Sequence, residues 1–238
     1  MTGLAGGATP QHGEVAVTLE RMNGVEEIDE ANMTMTAWAG TPLQALQEAA
    51  LENNLYLPID LGARGSCTIG GNIATNAGGM EVIRFGMTRS SVLGLEAVLA
   101  NGTVVSAMNR MIKNNSGYDL KHLFIGSEGT LGVVSRVVLQ LQPRPISTHT
   151  ALCALEDYGS VISVLNNLKL RLGGGLTGFE LMWANYFDGV IEMIPHLKNP
   201  FSKDHPFYLL LEYKDNDPVL GAERFEEALF SNLENKPS

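Results

Sequence analysis

Residues 57–79 run LPIDLGARGSCTIGGNIATNAGG, with six glycines, two asparagines and little charge. Glycine lacks the Cβ that keeps a backbone at a distance, so such a run brings main-chain N–H groups close to a large polar ligand. N–H groups supported by Ser66, Thr68, Asn72 and Thr75 suit a phosphate or pyrophosphate. Cys67, Ile69, Ile73 and Ala74 interleave apolar positions, so the run is expected to be anchored rather than a free surface loop. No Gly-Lys-Ser/Thr follows it, which argues against a P-loop. No Gly-x-Gly-x-x-Gly turn with a later acidic residue marks a Rossmann unit. The five histidines are scattered and no pair has metal-ligand spacing, so no metal is expected.

Three other blocks accompany the run in order. They are Met1–Pro10 (MTGLAGGATP), Arg84-Phe85-Gly86, and Gly117-Tyr118-Asp119-Leu120 followed by GSEGTLG at 126–132. Together the four blocks resemble the flavin-binding half of the vanillyl-alcohol-oxidase-type flavoproteins, and within them the FAD-dependent D-2-hydroxy-acid dehydrogenases. The resemblance implies noncovalently bound FAD that takes the C2 hydrogen of a small 2-hydroxy acid as hydride on flavin N5.

It also implies site residues. Thr2 and Gly3 match the end of a first pyrophosphate loop, and Pro58 and Asp60 lead into the second. Ser66, Cys67, Gly70, Gly71 and Asn72 match pyrophosphate and ribose contacts. Thr75, Ala77, Gly78 and Gly79 match the stretch beside the flavin. Glu128, Gly129, Val133 and Val134 match the segment at the adenine end. Asp60 has an alternative reading as a loop anchor, and Gly129 as a turn former. Asn115 and Tyr118 are read either as bordering the flavin ring or, for Tyr118, as core. No catalytic residue is assigned.

The fold class implied is α+β: the second half of a vanillyl-alcohol-oxidase-type FAD-binding domain, then a partial α/β cap domain. Several elements are expected between these motifs. A buried strand is read at 15–19 and another at 33–40. A helix follows from Thr41-Pro42 with Leu43, Leu46, Ala49 and Ala50 on one face. Strands at 92–100 and 103–108 are joined by Asn101-Gly102, a two-residue hairpin signal, and a long strand covers 130–141. Pro143-Arg144-Pro145 marks a boundary. Residues 1–142 are thus read as the FAD-binding domain lacking its N-terminal subdomain, and 146–238 as a partial substrate-cap domain. In the latter, strands at 148–155, 178–182 and 207–213 alternate with helices at 158–172 and after Asp217-Pro218, which suggests an open sheet with helices on one face. Asp157 is the expected cap of the first helix, and Phe225, Leu229 and Leu233 the apolar face of the last. Gly173-Gly174-Gly175 reads as a helix end rather than a second phosphate loop.

The 238 residues carry 16 basic and 26 acidic side chains, a net charge of -10, which argues against a nucleic-acid partner. No apolar run approaches a bilayer span, and two cysteines make no disulfide framework. Cys67 and Cys153 are read as buried thiols, and the setting as cytoplasmic. Because Met1 falls inside the first loop, and the family's substrate-binding Arg and Lys and its His-rich metal motif have no counterpart, the chain is expected to be cut at both ends. A homo-oligomer or a partner chain supplying the missing parts is expected with it. Two alternatives stand beside the dehydrogenase reading: a non-catalytic remnant or accessory subunit that keeps the flavin fold, and a flavin oxidase acting on an alcohol or sugar.

Overall fold

In the computed structural model, residues 2–234 are described, and of these the side chains of 232–234 are not. Met1 and the side chain of Leu233, both named above, fall outside that description. The chain divides into two compact units: 1–79 with 85–144, and 80–84 with 145–238.

The first unit is built on β1 (Val25–Asp29), β2 (Thr34–Trp38), α1 (Leu43–Glu52), β3 (Leu55–Tyr56), α2 (Ile69–Ala74), α3 (Val82–Phe85, shared with the second unit), β4 (Val92–Val98), β5 (Val104–Ala107), α4 (Lys121–Phe124), β6 (Val133–Gln140) and β7 (Gln142–Pro143). Five strands form an antiparallel sheet in the order β1-β2-β6-β4-β5, and β3 pairs with β7. Strand alternation puts Met35 and Ala37 of β2, Leu95 and Ala97 of β4, and Val137 and Leu139 of β6 into one core, with Leu43, Leu46 and Ala50 of α1 and Ile69 and Ile73 of α2. β2 turns Trp38 the other way, where the Arg136 guanidinium stands 5.3 Å from its ring centroid and reaches Glu26 at 2.7 Å.

Several expectations change here. Residues 15–19 form no strand: Val15 and Val17 are 87% and 75% exposed. Only Leu19 packs on the core. The edge beside β2 is taken by β1, so 15–19 has no ladder partner, and an unpaired apolar pentapeptide has nothing to hold it extended. β1 reads VEEID, a charged sequence that gave no strand signal and that suits an edge. Thr41 does not cap α1: Pro42 occupies the N-cap position. The Thr41 hydroxyl instead donates to the Trp38 carbonyl at 2.7 Å and accepts from Gly24 N–H at 2.9 Å. The β4–β5 turn is a three-residue loop, 100–102, closed by Leu99 N–H on the Thr103 carbonyl, with only Gly102 at positive φ (+84°).

The second unit carries β8 (Ser147–Leu155), α5 (Tyr158–Leu172), β9 (Leu176–Trp183), α6 (Ala184–Met193), β10 (Phe207–Asp215) and α7 (Leu220–Glu234). Its sheet order is β8-β10-β9, all antiparallel. Asp157 caps α5 by accepting from Ser160 N–H at 2.9 Å, a cap worth about 1 kcal/mol. Gly173 ends that helix at φ +53°. Val161, Val164 and Leu168 of α5 and Phe225 and Ala228 of α7 cover Leu209, Leu211 and Tyr213 of β10. The expectation of helices on one face is incomplete. Tyr208 points the other way from β10, and its ring stacks on Phe187 of α6 at 3.8 Å between centroids. Residues 80–84 join this unit: Ile83 packs on its core, and Lys214 Nζ holds the buried Glu81 carboxylate.

Candidate functional site

The glycine-rich run is an anchored structure. Its carbonyls cap α1: Leu43 N–H donates to the Cys67 carbonyl at 3.0 Å and Gln44 N–H to the Arg64 carbonyl at 2.9 Å. The first N–H groups of a helix lack partners within it, and here the run supplies them. α2 then forms inside the run, with Thr68 as N-cap. Sequence reading missed it because two glycines in six residues carry little helix propensity.

The run therefore uses many of its own donors. The N–H groups of Ile69 and Gly70 bond the carbonyls of Thr41 and Ala39, and that of Ala77 bonds the Asn72 carbonyl. Gly70 is glycine because of the fold: a Cβ there would lie 2.8 Å from the Ala39 Cβ and carbonyl. Gly79 is likewise pressed on the Asp60 carbonyl. Gly71 differs, since a Cβ there would meet only the Thr68 hydroxyl at 3.4 Å, and the residue is exposed.

Past α2, two segments close around its C-terminus. Gly126 and Glu128 donate their N–H groups to the carbonyls of Ile73 and Ala74, each at 2.9 Å. Glu128 adopts φ +51° to do so, followed by Gly129 at +80°. A Cβ on Gly7 would stand 3.3 Å from the Glu128 carboxylate, so the N-terminal glycine segment approaches the same place. Thr88 donates both its N–H, at 3.0 Å, and its hydroxyl, at 2.8 Å, to the Ala77 carbonyl.

The matched residues sort by burial. Pro58, Cys67, Gly70 and Val134 are packed inside. Asp60 is held by Arg64 at 2.6 Å. Ser66, Gly71, Thr75, Gly78, Glu128, Gly129 and Val133 are exposed, as are Thr2 and Gly3 on an irregular segment. Ala77 and Gly79 are half-buried. Asn72 is 4% exposed, and among the described residues no acceptor reaches its Nδ2. Tyr118 is 94% exposed, so its reading as core is withdrawn; it sits on the irregular stretch before α4, with no element to cover it. Burial lowers the pKa of the His122 imidazole, against the opposing Asp119 carboxylate 3.5 Å away. Burial also raises the Cys153 thiol's pKa, which keeps it protonated and unreactive. Among the described residues no group of three metal-ligating side chains occurs. No helix there is long and apolar enough to cross a membrane.

Residues 1–108 match the FAD binding domain family. Over 233 residues the chain is 42% identical to the mitochondrial D-2-hydroxyglutarate dehydrogenase of Arabidopsis thaliana, covering 98% of this chain and 42% of that one. Over nearly its whole length the chain is thus similar to part of a D-2-hydroxyglutarate dehydrogenase. A D-2-hydroxyglutarate dehydrogenase of Xanthomonas citri is also 42% identical, over 91% of this chain and 45% of its own length. The chain thus spans less than half the length of these relatives. In fold it is similar to alkyldihydroxyacetonephosphate synthase, at TM-score 0.73 and 16% identity, covering 91% of this chain and 40% of the synthase. FAD is the cofactor of the matched domain. The cytoplasmic expectation does not stand, because the Arabidopsis relative is named mitochondrial.

Proposed function

We propose that this chain binds FAD noncovalently and is the flavin-binding part of an oxidoreductase acting on a D-2-hydroxy acid. Residues 1–142 serve as the FAD-binding domain and 146–238 as part of a substrate cap. The observation that carries the reading is the Asn72 amide. A buried donor without an acceptor costs about 1–3 kcal/mol, and a ligand oxygen offsets that cost. Around it the exposed face of 65–79 is built of Ser66, Gly71, Thr75 and Gly78, which admit an anion to short range. The turn at Glu128-Gly129, held on the carbonyls of α2, borders the same surface.

Bound flavin would supply the hydride acceptor for C2 of the substrate. The chain's own part is to hold the pyrophosphate without a P-loop lysine, through hydroxyls and glycine backbone. Asn72 orients one oxygen, and Gly71 leaves the space for it.

The test is titration of the purified protein with FAD, followed by flavin fluorescence and visible absorbance. Saturable quenching is expected, and acid precipitation should release the flavin intact. Anaerobic addition of D-2-hydroxyglutarate or D-lactate to the loaded protein then reports on reduction. Flavin that neither quenches nor shifts would overturn the binding reading. Reduction by either acid would support the substrate assignment, whereas flavin that binds and is reduced by neither is the outcome expected of a flavin-binding part alone and leaves the binding reading standing.

A further inference from the structure

Arg89 sits in a short 3₁₀ turn, Thr88–Ser91, whose sequence TRSS reads as surface. The structure gives it three attachments. Its backbone N–H donates to the Asn76 side-chain oxygen at 3.0 Å. Its guanidinium donates through one nitrogen to the His122 carbonyl at 2.8 Å, and through the other to the Ile125 carbonyl. Those carbonyls lie in and just after α4, where the helix leaves acceptors unused. Asn76 holds the unusual φ of +48° just past α2, and Gly126 begins the turn that docks on α2. A Cβ on Gly126 would stand 3.4 Å from the Asn76 Cβ and 3.7 Å from the Arg89 guanidinium, so all three groups converge.

We propose that Arg89 is a positioning residue that locks segments 75–78 and 126–129 to each other in the geometry that receives FAD. The proposal rests on the reading of that surface as the FAD site. Neither segment belongs to a regular element, and each takes positive-φ residues that the chain disfavours on its own. A planar fork with two donors can hold two carbonyls at once, whereas a lysine ammonium is a point charge that meets one of them well. The hydrogen bonds of Arg89 go to Asn76 and to the carbonyls of His122 and Ile125. Its role is to hold those segments rather than to contact ligand.

The experiment compares the wild-type protein with Arg89→Met and Arg89→Lys. Amide hydrogen exchange without FAD is read at Asn76, Ala77, Gly126 and Glu128, whose N–H groups all bond within the chain. Arg89→Met should speed exchange at least tenfold in both segments together, leaving β2 and β6 protected. It should weaken FAD at least tenfold and change the visible circular dichroism of the flavin at saturation. Arg89→Lys should restore part of each effect. Loosening of one segment alone, exchange rising across β2 and β6 as well, or unchanged FAD affinity with both segments loose would each overturn the proposal. If the wild-type protein binds no FAD, the functional reading fails while the exchange comparison still decides whether Arg89 couples the segments.

Discussion

Three glycines of one run do different things. Gly70 and Gly79 are pressed on main chain, whereas a Cβ on Gly71 would meet only the Thr68 hydroxyl, at van der Waals distance. Their substitutions should therefore separate folding from binding. Gly79→Ala drives a methyl into the Asp60 carbonyl, so the 58–79 segment must shift. We expect a loss of roughly 2 kcal/mol or more in urea unfolding, within the range of forced overpacking. Gly71→Val meets only a hydroxyl oxygen, and valine is no worse than glycine inside a helix. It should unfold within about 0.5 kcal/mol of wild type, as exposed substitutions do, yet lose FAD binding. If Gly71→Val binds FAD as well as wild type, the cofactor does not pass over that face.

Elements are joined here by polar groups at their ends. The β10–α7 junction is the clearest case. Asp215 accepts from the Tyr213 hydroxyl, from Asp217 N–H at 2.9 Å and from Arg224 at 3.1 Å. With the tyrosine bond the largest cause, the carboxyl pKa falls from 3.8 to about 2. A depressed carboxylate contributes stability that is fully present above its unfolded value and lost as pH falls through the folded one. The protein should therefore lose stability between about pH 4 and pH 2 through this group. Asp215→Asn should lower stability at pH 7 and flatten that part of the curve. Thermal unfolding from pH 7 down to pH 2 measures it, and a mutant curve parallel to wild type would rule the junction out as a source.

At the scale of the molecule, exposed apolar side chains are the notable property. Leu4, Val15 and Val17 lie exposed on the N-terminal segment. Met111, Ile112, Tyr118, Leu120, Leu123 and Leu131, within α4 and along the segments before and after it, are more than half exposed. Exposed apolar groups favour association. The three-stranded sheet also leaves the outer edges of β8 and β9 without a strand among the described residues. The purified chain should self-associate at micromolar concentration, and FAD should reduce this by covering part of the first unit. Size-exclusion chromatography with light scattering, with and without FAD, tests it. A monodisperse monomer in the absence of FAD would mean that these surfaces are tolerated in water.

The sequence alone was enough for whatever is local. The α5 cap at Asp157, the Gly173 stop and the apolar face of α1 follow from neighbours within four residues, and each stands as read. The glycine-rich run and its companion blocks are short local motifs, so their resemblance to flavin-binding proteins was legible, and residues 1–108 match the FAD binding domain family. The β4–β5 hairpin was legible from its turn residues, but long-range pairing was not. Charged β1 became a strand and apolar 15–19 did not, because β2 has one free edge and only one segment can take it. β10 lies between β8 and β9 although it follows both in the chain. The different surroundings of Gly70, Gly71 and Gly79 depend on which atoms come to lie beside each, and the Arg89 guanidinium gains its two carbonyls only when α4 arrives from more than thirty residues away. Local propensity is set by side chains and their near neighbours, whereas these contacts are set by long-range packing, on which residue type alone carries little information.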